Sequence, residues 1–236
     1  MNTILLDLDG TLLPMDQDKF VEIYFHALAQ KCVQMGFDAD DLLKGVWAGI
    51  KAMIQSDGTM KNEVRFWDTF ASIFGENVRK LEPSFHDFYR NEFNKAKVST
   101  NPTPLANESI QLLKSKGYNL VLATNPIFPQ VATYARMQWA DIHPEDFQLI
   151  TTYENSYFCK PNLEYYKGIL KAIGKEPEEC MMVGNDVKED MCTSKLGLKT
   201  FLLSDCLIED EEDIKDFQAG SFEDFYNFIQ KLPKVD

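Results

Sequence analysis

The chain begins with an apolar run that ends in two carboxylates one residue apart, Thr3-Ile4-Leu5-Leu6-Asp7-Leu8-Asp9. A short continuous apolar run is typical of a strand buried on both faces, as in a parallel sheet. Gly10 follows directly and predicts the end of the strand. In open α/β sheets ligands bind beyond the carboxyl ends of the strands. Asp7 and Asp9 therefore lie at the expected position of a binding or active site. Two neighbouring carboxylates repel each other, and a hard cation such as Mg²⁺ relieves that repulsion.

The chain then changes character. From Asp16 to about Lys97 apolar residues recur at helical spacing, which predicts a small helical bundle. Beyond it helices and strands alternate, and this alternation predicts a parallel sheet covered on both faces. We expect an α/β, Rossmann-like core domain formed by residues 1–14 and 99–236, interrupted by an α-helical cap domain inserted at 15–98.

Two details of the second half are specific enough to test. Residues 188–196 are predicted to be helical, and Lys199 to Leu203 is predicted to be the last strand. The acidic run at 209–213 is typical of a solvated loop rather than a metal site.

The net charge and the cysteine content of the chain limit the classes of binding partner and the compartment that we expect. The 236 residues carry a net charge of −13, which disfavours nucleic acid and anionic membranes as partners. The five cysteines are an odd number without a Cys-x-x-Cys pair, as in free thiols of a reducing cytosol. Met1 leads directly into a strand, and no apolar run is long enough to span a membrane. We expect a cytoplasmic protein, either a monomer or a homodimer.

Polar residues that can bind ligands or take part in catalysis follow the other predicted strands of the core. In a parallel sheet these strand ends converge on one crevice with the first strand. The residues are Thr124-Asn125, Lys160-Pro161, Gly184-Asn185-Asp186 and, four residues after Asp186, Asp190.

These residue types suit phosphoryl transfer. Asp7 can act as a nucleophile and form an aspartyl phosphate, and Asp9 can protonate the leaving oxygen and later activate water. The Thr124 hydroxyl and the adjacent backbone N–H can hold the transferring oxygens, while Lys160 offers a compact positive charge. Asp186, together with Asp7 and a backbone carbonyl, can hold Mg²⁺ in a site that retains water.

The order Asp-x-Asp-Gly-Thr, apolar-Thr-Asn, Lys-Pro and apolar-Gly-Asn-Asp-x-x-x-Asp resembles the haloacid dehalogenase (HAD) superfamily of hydrolases. The helical insert after the first motif is similar to the type 1 cap of that superfamily. The resemblance implies that Asp7 is the nucleophile and Asp9 the acid/base, with Thr124 and Lys160 completing the catalytic set. It implies that Thr124, Asn125 and Lys160 bind substrate. Mg²⁺ is the implied cofactor.

The metal ligands implied by the resemblance are Asp7, Asp9, Asp186 and Asp190. Many members of the superfamily have Gly-Asp where this chain has Gly184-Asn185. Either Asp186 binds the metal directly, or Asn185 contributes its amide oxygen; a carboxylate binds Mg²⁺ better and favours Asp186. Asp190 is either a direct ligand or a residue that orients water.

Asp9 separates the possible reactions. Dehalogenases and phosphonatases of this superfamily lack the second aspartate, so its presence favours a phosphatase acting on a small phosphorylated metabolite. A sugar phosphomutase of the same superfamily remains an alternative. A non-catalytic phosphometabolite-binding protein is the alternative of another class, although a binder does not need Asp9.

The predicted cap contains the segment Asn62-Glu63-Val64-Arg65-Phe66-Trp67. Its aromatic pair at a helix start is typical of a core. The polar and aromatic residues around it can instead face the crevice and read the leaving group. The residues concerned are Trp47, Lys51, Lys61, Asn62 and Arg65.

Overall fold

The computed structural model describes residues 1–208 and 214–235, so the predicted loop at 209–213 lies outside the described residues. A six-stranded sheet runs through the protein in the order β3-β2-β1-β4-β5-β6, and all its neighbouring strands are parallel. The strands are β1 (Thr3–Leu6), β2 (Asn119–Leu122), β3 (Leu149–Ile150), β4 (Cys180–Gly184), β5 (Lys199–Leu203) and β6 (Ala219–Gly220). The predicted α/β, Rossmann-like fold is confirmed.

Strand β1 forms the centre of the sheet because both of its faces are apolar. Ile4 and Leu6 pack into one buried cluster, and Leu5 packs into a second cluster on the opposite face. All three side chains are no more than 1% exposed. A strand buried on both sides fixes its own position, and therefore fixes the position of the carboxylates that follow it.

Eight helices lie in the described residues, and within them no helix is both long and apolar enough to cross a membrane. Four of them, α1 to α4, lie in the segment for which an inserted cap is predicted. The helices are α1 (Gln17–Gln34), α2 (Ala39–Ile54), α3 (Asn62–Phe74), α4 (Glu82–Arg90), α5 (Pro104–Ser115), α6 (Gln130–Trp139), α7 (Leu163–Ile173) and α8 (Phe222–Lys231).

Aromatic packing and a few polar bonds hold α1 to α4 together. The hydroxyls of Tyr24 and Tyr89 share a hydrogen bond of 3.0 Å. The Lys31 ammonium on α1 donates to Asp87 at 2.7 Å and to Glu92 at 3.0 Å. The buried apolar side chains of these helices join those of one sheet face in a continuous cluster, so the helices are packed against the sheet.

The structure corrects two details of the second half. β5 is not the last strand, because β6 and helix α8 follow it. β6 has only two residues, so the sequence shows no alternation of apolar and polar residues from which this strand could be predicted. Within the predicted helix at 188–196 the chain forms a 3₁₀ helix over Met191–Leu196 alone, which Gly197 ends with a φ of +99°. The preceding backbone N–H groups of Lys188 and Glu189 donate instead to the Asp186 side chain.

Candidate active site

The carboxyl ends of β1, β2 and β4 meet at the middle of one sheet edge. β1 lies between β2 and β4, with the order continuing to β3 on one side and to β5 and β6 on the other. Parallel sheets open a crevice where the strand order reverses in this way. Asp7 follows β1, Thr124 follows β2 and Asn185 follows β4, so the fold brings the predicted strand-end residues to one crevice.

Asp7 is held by a buried lysine. Its Oδ1 accepts from the Lys160 ammonium at 2.7 Å, and its Oδ2 accepts from the Thr11 hydroxyl at 3.1 Å. The same ammonium donates to Asp190 Oδ1 at 2.6 Å. Desolvation lowers the pKa of Lys160, but attraction to Asp190 and Asp7 outweighs it, so the pKa lies well above its usual value. Lys160 therefore remains charged at neutral pH beside Asp7.

Asp190 lies behind this lysine and is itself inaccessible. It is 1% exposed, and its Oδ2 accepts from the backbone N–H of Asp186 at 3.1 Å. Gly184 leaves room for it, because a Cβ added to that glycine would lie 2.0 Å from Asp190 Oδ2. Asp190 is therefore a partner that fixes Lys160 in place.

Asp9 points to a different cation. Its Oδ2 forms an ion pair with Arg136 of α6, whose side chain is 1% exposed. Its Oδ1 is buried and has no hydrogen-bond partner in the described residues. Burial raises the pKa of the Asp9 carboxyl, and the Arg136 guanidinium partly offsets that rise. A raised pKa suits a group that must carry a proton near neutral pH.

The loop after β2 is fixed by bonds to its own backbone and side chains. The Thr124 carbonyl accepts from Thr151 at 2.8 Å and from Tyr165 at 2.9 Å. The Asn125 Nδ2 donates to both carboxylate oxygens of Glu189 at 3.1 Å, and its Oδ1 accepts from the Lys160 backbone N–H at 3.3 Å. The Asn125 side chain is thus engaged by the protein at both ends.

Asn185 is a structural bridge. Its Oδ1 lies 2.9 Å from the Thr11 hydroxyl, which shares its one proton between this oxygen and Asp7 Oδ2, and its Nδ2 donates to the Cys206 carbonyl at 2.7 Å. Gly10 passes against it with a φ of +79°, and a Cβ on that glycine would lie 2.3 Å from Asn185 Nδ2. The amide is therefore committed to the protein, which leaves Asp186 as the residue at this strand end with a carboxylate to offer.

The four predicted metal ligands are not gathered around one point. In residues 1–208 and 214–235 no group of three or more His, Cys, Asp or Glu side chains could hold a metal ion. Arg136 pairs with Asp9, and Lys160 pairs with both Asp7 and Asp190. Asp190 is the most enclosed of the four at 1% exposure, whereas Asp7 and Asp186 follow the adjacent strands β1 and β4. Mg²⁺ keeps several waters and is usually bound through one or two carboxylates, so this pair of hard oxygen donors fits it.

The residues of the predicted cap that were expected to contact the leaving group do not gather at one place in the structure. Asn62 is fully buried, and its Nδ2 donates to the Pro126 carbonyl at 3.1 Å. Arg65 pairs with Asp57. Trp47 is 52% exposed, with its ring stacked on Phe25, and Lys51 and Lys61 are exposed. An apolar cavity lies instead between α1 to α4 and the loop after β2; its lining includes Tyr24, Phe66, Trp67, Tyr89, Phe128 and Tyr153.

Arg136 and Glu189 were not singled out from the sequence, and Thr11 entered only as the last residue of the Asp-x-Asp-Gly-Thr motif, without a role of its own. Arg136 left a readable signal, because it lies at helical spacing among the buried Ala132, Thr133 and Met137 of α6. A charged residue on the buried face of a helix needs a counter-charge. Glu189 gave no signal beyond its position three residues after Asp186.

The fold and this cluster of carboxylates and buried cations define a class, that of α/β enzymes with their site at the strand ends. Residues 1–191 match the haloacid dehalogenase-like hydrolase family, and the chain belongs to it. The predicted superfamily and the prediction of a hydrolase are confirmed.

Two similar proteins are named as a phosphatase and a pyrophosphatase. Over 235 residues the chain is 26% identical to a glyceraldehyde 3-phosphate phosphatase of Methanocaldococcus jannaschii, covering 98% of each chain. Over 204 residues it is 24% identical to pyrophosphatase PpaX of Bacillus cereus, covering 86% of this chain and 83% of that one. These names support the predicted class, a hydrolase acting on phosphate esters.

Solved structures share the fold. A HAD phosphatase from Thermococcus onnurineus matches all of both chains with a TM-score of 0.64 at 16% identity. L-2-haloacid dehalogenase from Xanthobacter autotrophicus matches 98% of this chain and 99% of its own with a TM-score of 0.58 at 12% identity. At these identities the likeness concerns the fold alone.

Proposed function

We propose that this protein is a Mg²⁺-dependent phosphatase that hydrolyses a small phosphorylated metabolite through an aspartyl phosphate on Asp7. One observation carries the proposal: two aspartates at the same strand end each have their own buried cation. Lys160 partners Asp7 and Arg136 partners Asp9. Separate partners give the two carboxylates separate environments, which suits a nucleophile and an acid/base.

In the first step an Oδ of Asp7 attacks phosphorus, and the bond between phosphorus and the ester oxygen breaks. Asp9 gives its proton to that oxygen, so an alcohol leaves. Lys160 lies against Asp7 and balances negative charge as the anionic phosphate approaches. The Thr124 hydroxyl and the backbone N–H beside it are proposed to hold the transferring oxygens.

In the second step water attacks the phosphorus of the aspartyl phosphate. A water proton passes to Asp9, the bond between phosphorus and the Asp7 oxygen breaks, and inorganic phosphate leaves. Asp7 is regenerated as a carboxylate and Asp9 as an acid. The balance is one ester and one water consumed for one alcohol and one phosphate.

Mg²⁺ supplies positive charge that lets the Asp7 carboxylate and an anionic phosphate approach each other. We assign its protein ligands to Asp7 and Asp186. This assignment leaves out Asp9, whose Oδ2 is held by Arg136 and whose Oδ1 is buried, and Asp190, which is enclosed behind Lys160.

The α1 to α4 segment is proposed as the cap that covers the strand ends. Asn62 at the start of α3 reaches the Pro126 carbonyl in the loop after β2, next to Thr124 and Asn125. The relatives named for glyceraldehyde 3-phosphate and pyrophosphate support a small substrate. The net charge of −13 supports neither nucleic acid nor an anionic membrane as a partner.

The test is phosphate release over sugar phosphates, nucleoside monophosphates, phosphoglycolate, glyceraldehyde 3-phosphate and pyrophosphate, with Mg²⁺ present. We expect release by the wild type, none by Asp7→Asn, and wild-type rates for Asp18→Asn, a matched change at an exposed aspartate. Near-wild-type release by Asp7→Asn would refute the nucleophile. A sugar bisphosphate or an isomerised sugar phosphate as product would indicate a phosphomutase, and thermal stabilisation by Mg²⁺ with beryllofluoride without any turnover would indicate a binder.

A further inference from the structure

Arg136 is fully buried and is held from several sides. Its Nε donates to the Ala132 carbonyl at 3.3 Å, and an Nη donates to the Thr133 hydroxyl at 3.4 Å. The guanidinium carbon lies 4.4 Å from the centroid of the Phe128 ring. The other Nη donates to Asp9. The guanidinium is therefore a fixed donor rather than a mobile one.

Its burial excludes contact with substrate. The Arg136 side chain is 1% exposed, whereas that of Asp9 is 20% exposed. Among the described residues Asp9 is the one carboxylate in an ion pair with it. Taking a guanidinium out of water costs several kcal/mol unless a counter-charge and further hydrogen bonds compensate. The residue therefore acts on the crevice through Asp9.

The two oxygens of Asp9 are in different situations. Oδ2 is occupied by the guanidinium, and the buried Oδ1 has no hydrogen-bond partner in residues 1–208 and 214–235. The terminal torsion of an aspartate is broad and roughly two-fold, so an untethered carboxyl samples many orientations. One fixed donor on Oδ2 removes that freedom and fixes the orientation of the whole carboxyl.

We propose that Arg136 is a positioning residue that holds Oδ2 of Asp9 and thereby fixes the orientation of the carboxyl that gives a proton to the leaving group and later takes one from water. The proposal rests on the proposed function of Asp9 as acid/base. It adds a residue from α6 that the sequence motifs do not include.

The test compares phenyl phosphate with p-nitrophenyl phosphate. The two esters have similar shapes, but phenolate is a far more basic leaving group and needs a proton, whereas p-nitrophenolate does not. kcat/KM reports the steps up to loss of the leaving group, so a defect in proton donation lowers it for phenyl phosphate alone. The variants are Arg136→Met, Arg136→Lys, Asp9→Asn and the double variant Arg136→Met with Asp9→Asn, with Arg90→Met at an exposed position as control.

General acid/base catalysis contributes roughly 10²–10⁴-fold, and loss of orientation forfeits part of that. For Arg136→Met we expect kcat/KM to fall about 10- to 100-fold on phenyl phosphate and less than about threefold on p-nitrophenyl phosphate. Arg136→Lys should lie between this variant and the wild type. Asp9→Asn should show the same selectivity, and the double variant should be no slower than Asp9→Asn alone, because both changes remove one function.

An unchanged ratio between the two substrates in every folded Arg136 variant, checked by circular dichroism, would overturn the proposal. So would losses that multiply in the double variant. If Arg136→Met does not fold, the ratio of kcat/KM between phenyl phosphate and p-nitrophenyl phosphate in Arg136→Lys tests the proposal instead. A wild type that releases phosphate from neither ester nor any metabolite of the panel would refute the proposed function itself. Release with the expected Asp9→Asn selectivity, but normal Arg136 variants, would refute the positioning role alone.

Discussion

The buried ammonium of Lys160 gives the sharpest test of the site's electrostatics. It donates to Asp7 at 2.7 Å and to Asp190 at 2.6 Å. The Lys160→Met change keeps an unbranched chain of similar length and removes the charge. Without the ammonium the two carboxyl groups, which are 9% and 1% exposed, lose the counter-charge that they share. Burial already raises the pKa of Asp190 to about 7, so in the variant this group either stays charged beside Asp7 or binds a proton at a cost.

The size of the effect follows from the distances. The two carboxylate oxygens that share the ammonium lie at most roughly 5 Å apart, and at an effective dielectric constant of about 20 their repulsion is about 3 kcal/mol. Removing one partner of a buried ion pair typically costs about 3–5 kcal/mol. We therefore expect Lys160→Met to lower the free energy of unfolding by about 3–5 kcal/mol.

The assay is urea unfolding at pH 7 with a chelator present, followed by circular dichroism. The control is Lys167→Met, which removes an exposed lysine paired with Glu164 and should change the free energy of unfolding by less than about 1 kcal/mol. Adding Asp190→Asn to Lys160→Met removes one of the two carboxyl groups that lost their counter-charge and should recover at least about 1.5 kcal/mol. A Lys160→Met variant within about 1 kcal/mol of wild type, or no recovery in the double variant, would refute this reasoning.

Three further predictions concern other parts of the site and the thiols. Gly10→Ala combines a φ of +79° with a Cβ 2.3 Å from Asn185 Nδ2, so it should cost about 2–4 kcal/mol in urea unfolding and abolish phosphate release; wild-type stability would contradict the tight approach. A chelator should stop phosphate release and Mg²⁺ should restore it, with Asp186→Asn needing at least about tenfold more Mg²⁺; an unchanged Mg²⁺ requirement would remove Asp186 from the metal site. An aromatic disulfide reagent at pH 8 should modify Cys206 first, and all five thiols in denaturant. Burial raises the pKa of the other four, to about 12 for Cys32 and Cys159 and about 11 for Cys180 and Cys192. Rapid native modification of all five would contradict the described burial.

The sequence predicted the elements whose signals are local. A continuous apolar run before Asp7 is readable as a buried strand, and helical spacing marks α1 to α4. β6 has two residues, and its place in the sheet depends on pairing with β5, so no local pattern could predict it. A two-residue strand has no periodicity to read.

The partners of the site residues could not be predicted, since they come from distant positions. Arg136 is 127 residues from Asp9, and Lys160 is 30 residues from Asp190. The motifs therefore indicated the strand ends correctly but not which carboxylate each cation would hold. Asp190, predicted among the metal ligands, is a partner of Lys160 in the structure, because the fold turns its side chain toward that ammonium.

In the proposed mechanism Asp7 carries the phosphoryl group during turnover. The most direct measurement is mass spectrometry of peptides after an acid quench of the enzyme turning over its best substrate with Mg²⁺. The account predicts one phosphoryl group on the peptide that contains Asp7 and none on the same peptide from Asp7→Asn. A phosphoryl group on another residue, or steady turnover by Asp7→Asn without any phosphorylated peptide, would contradict it.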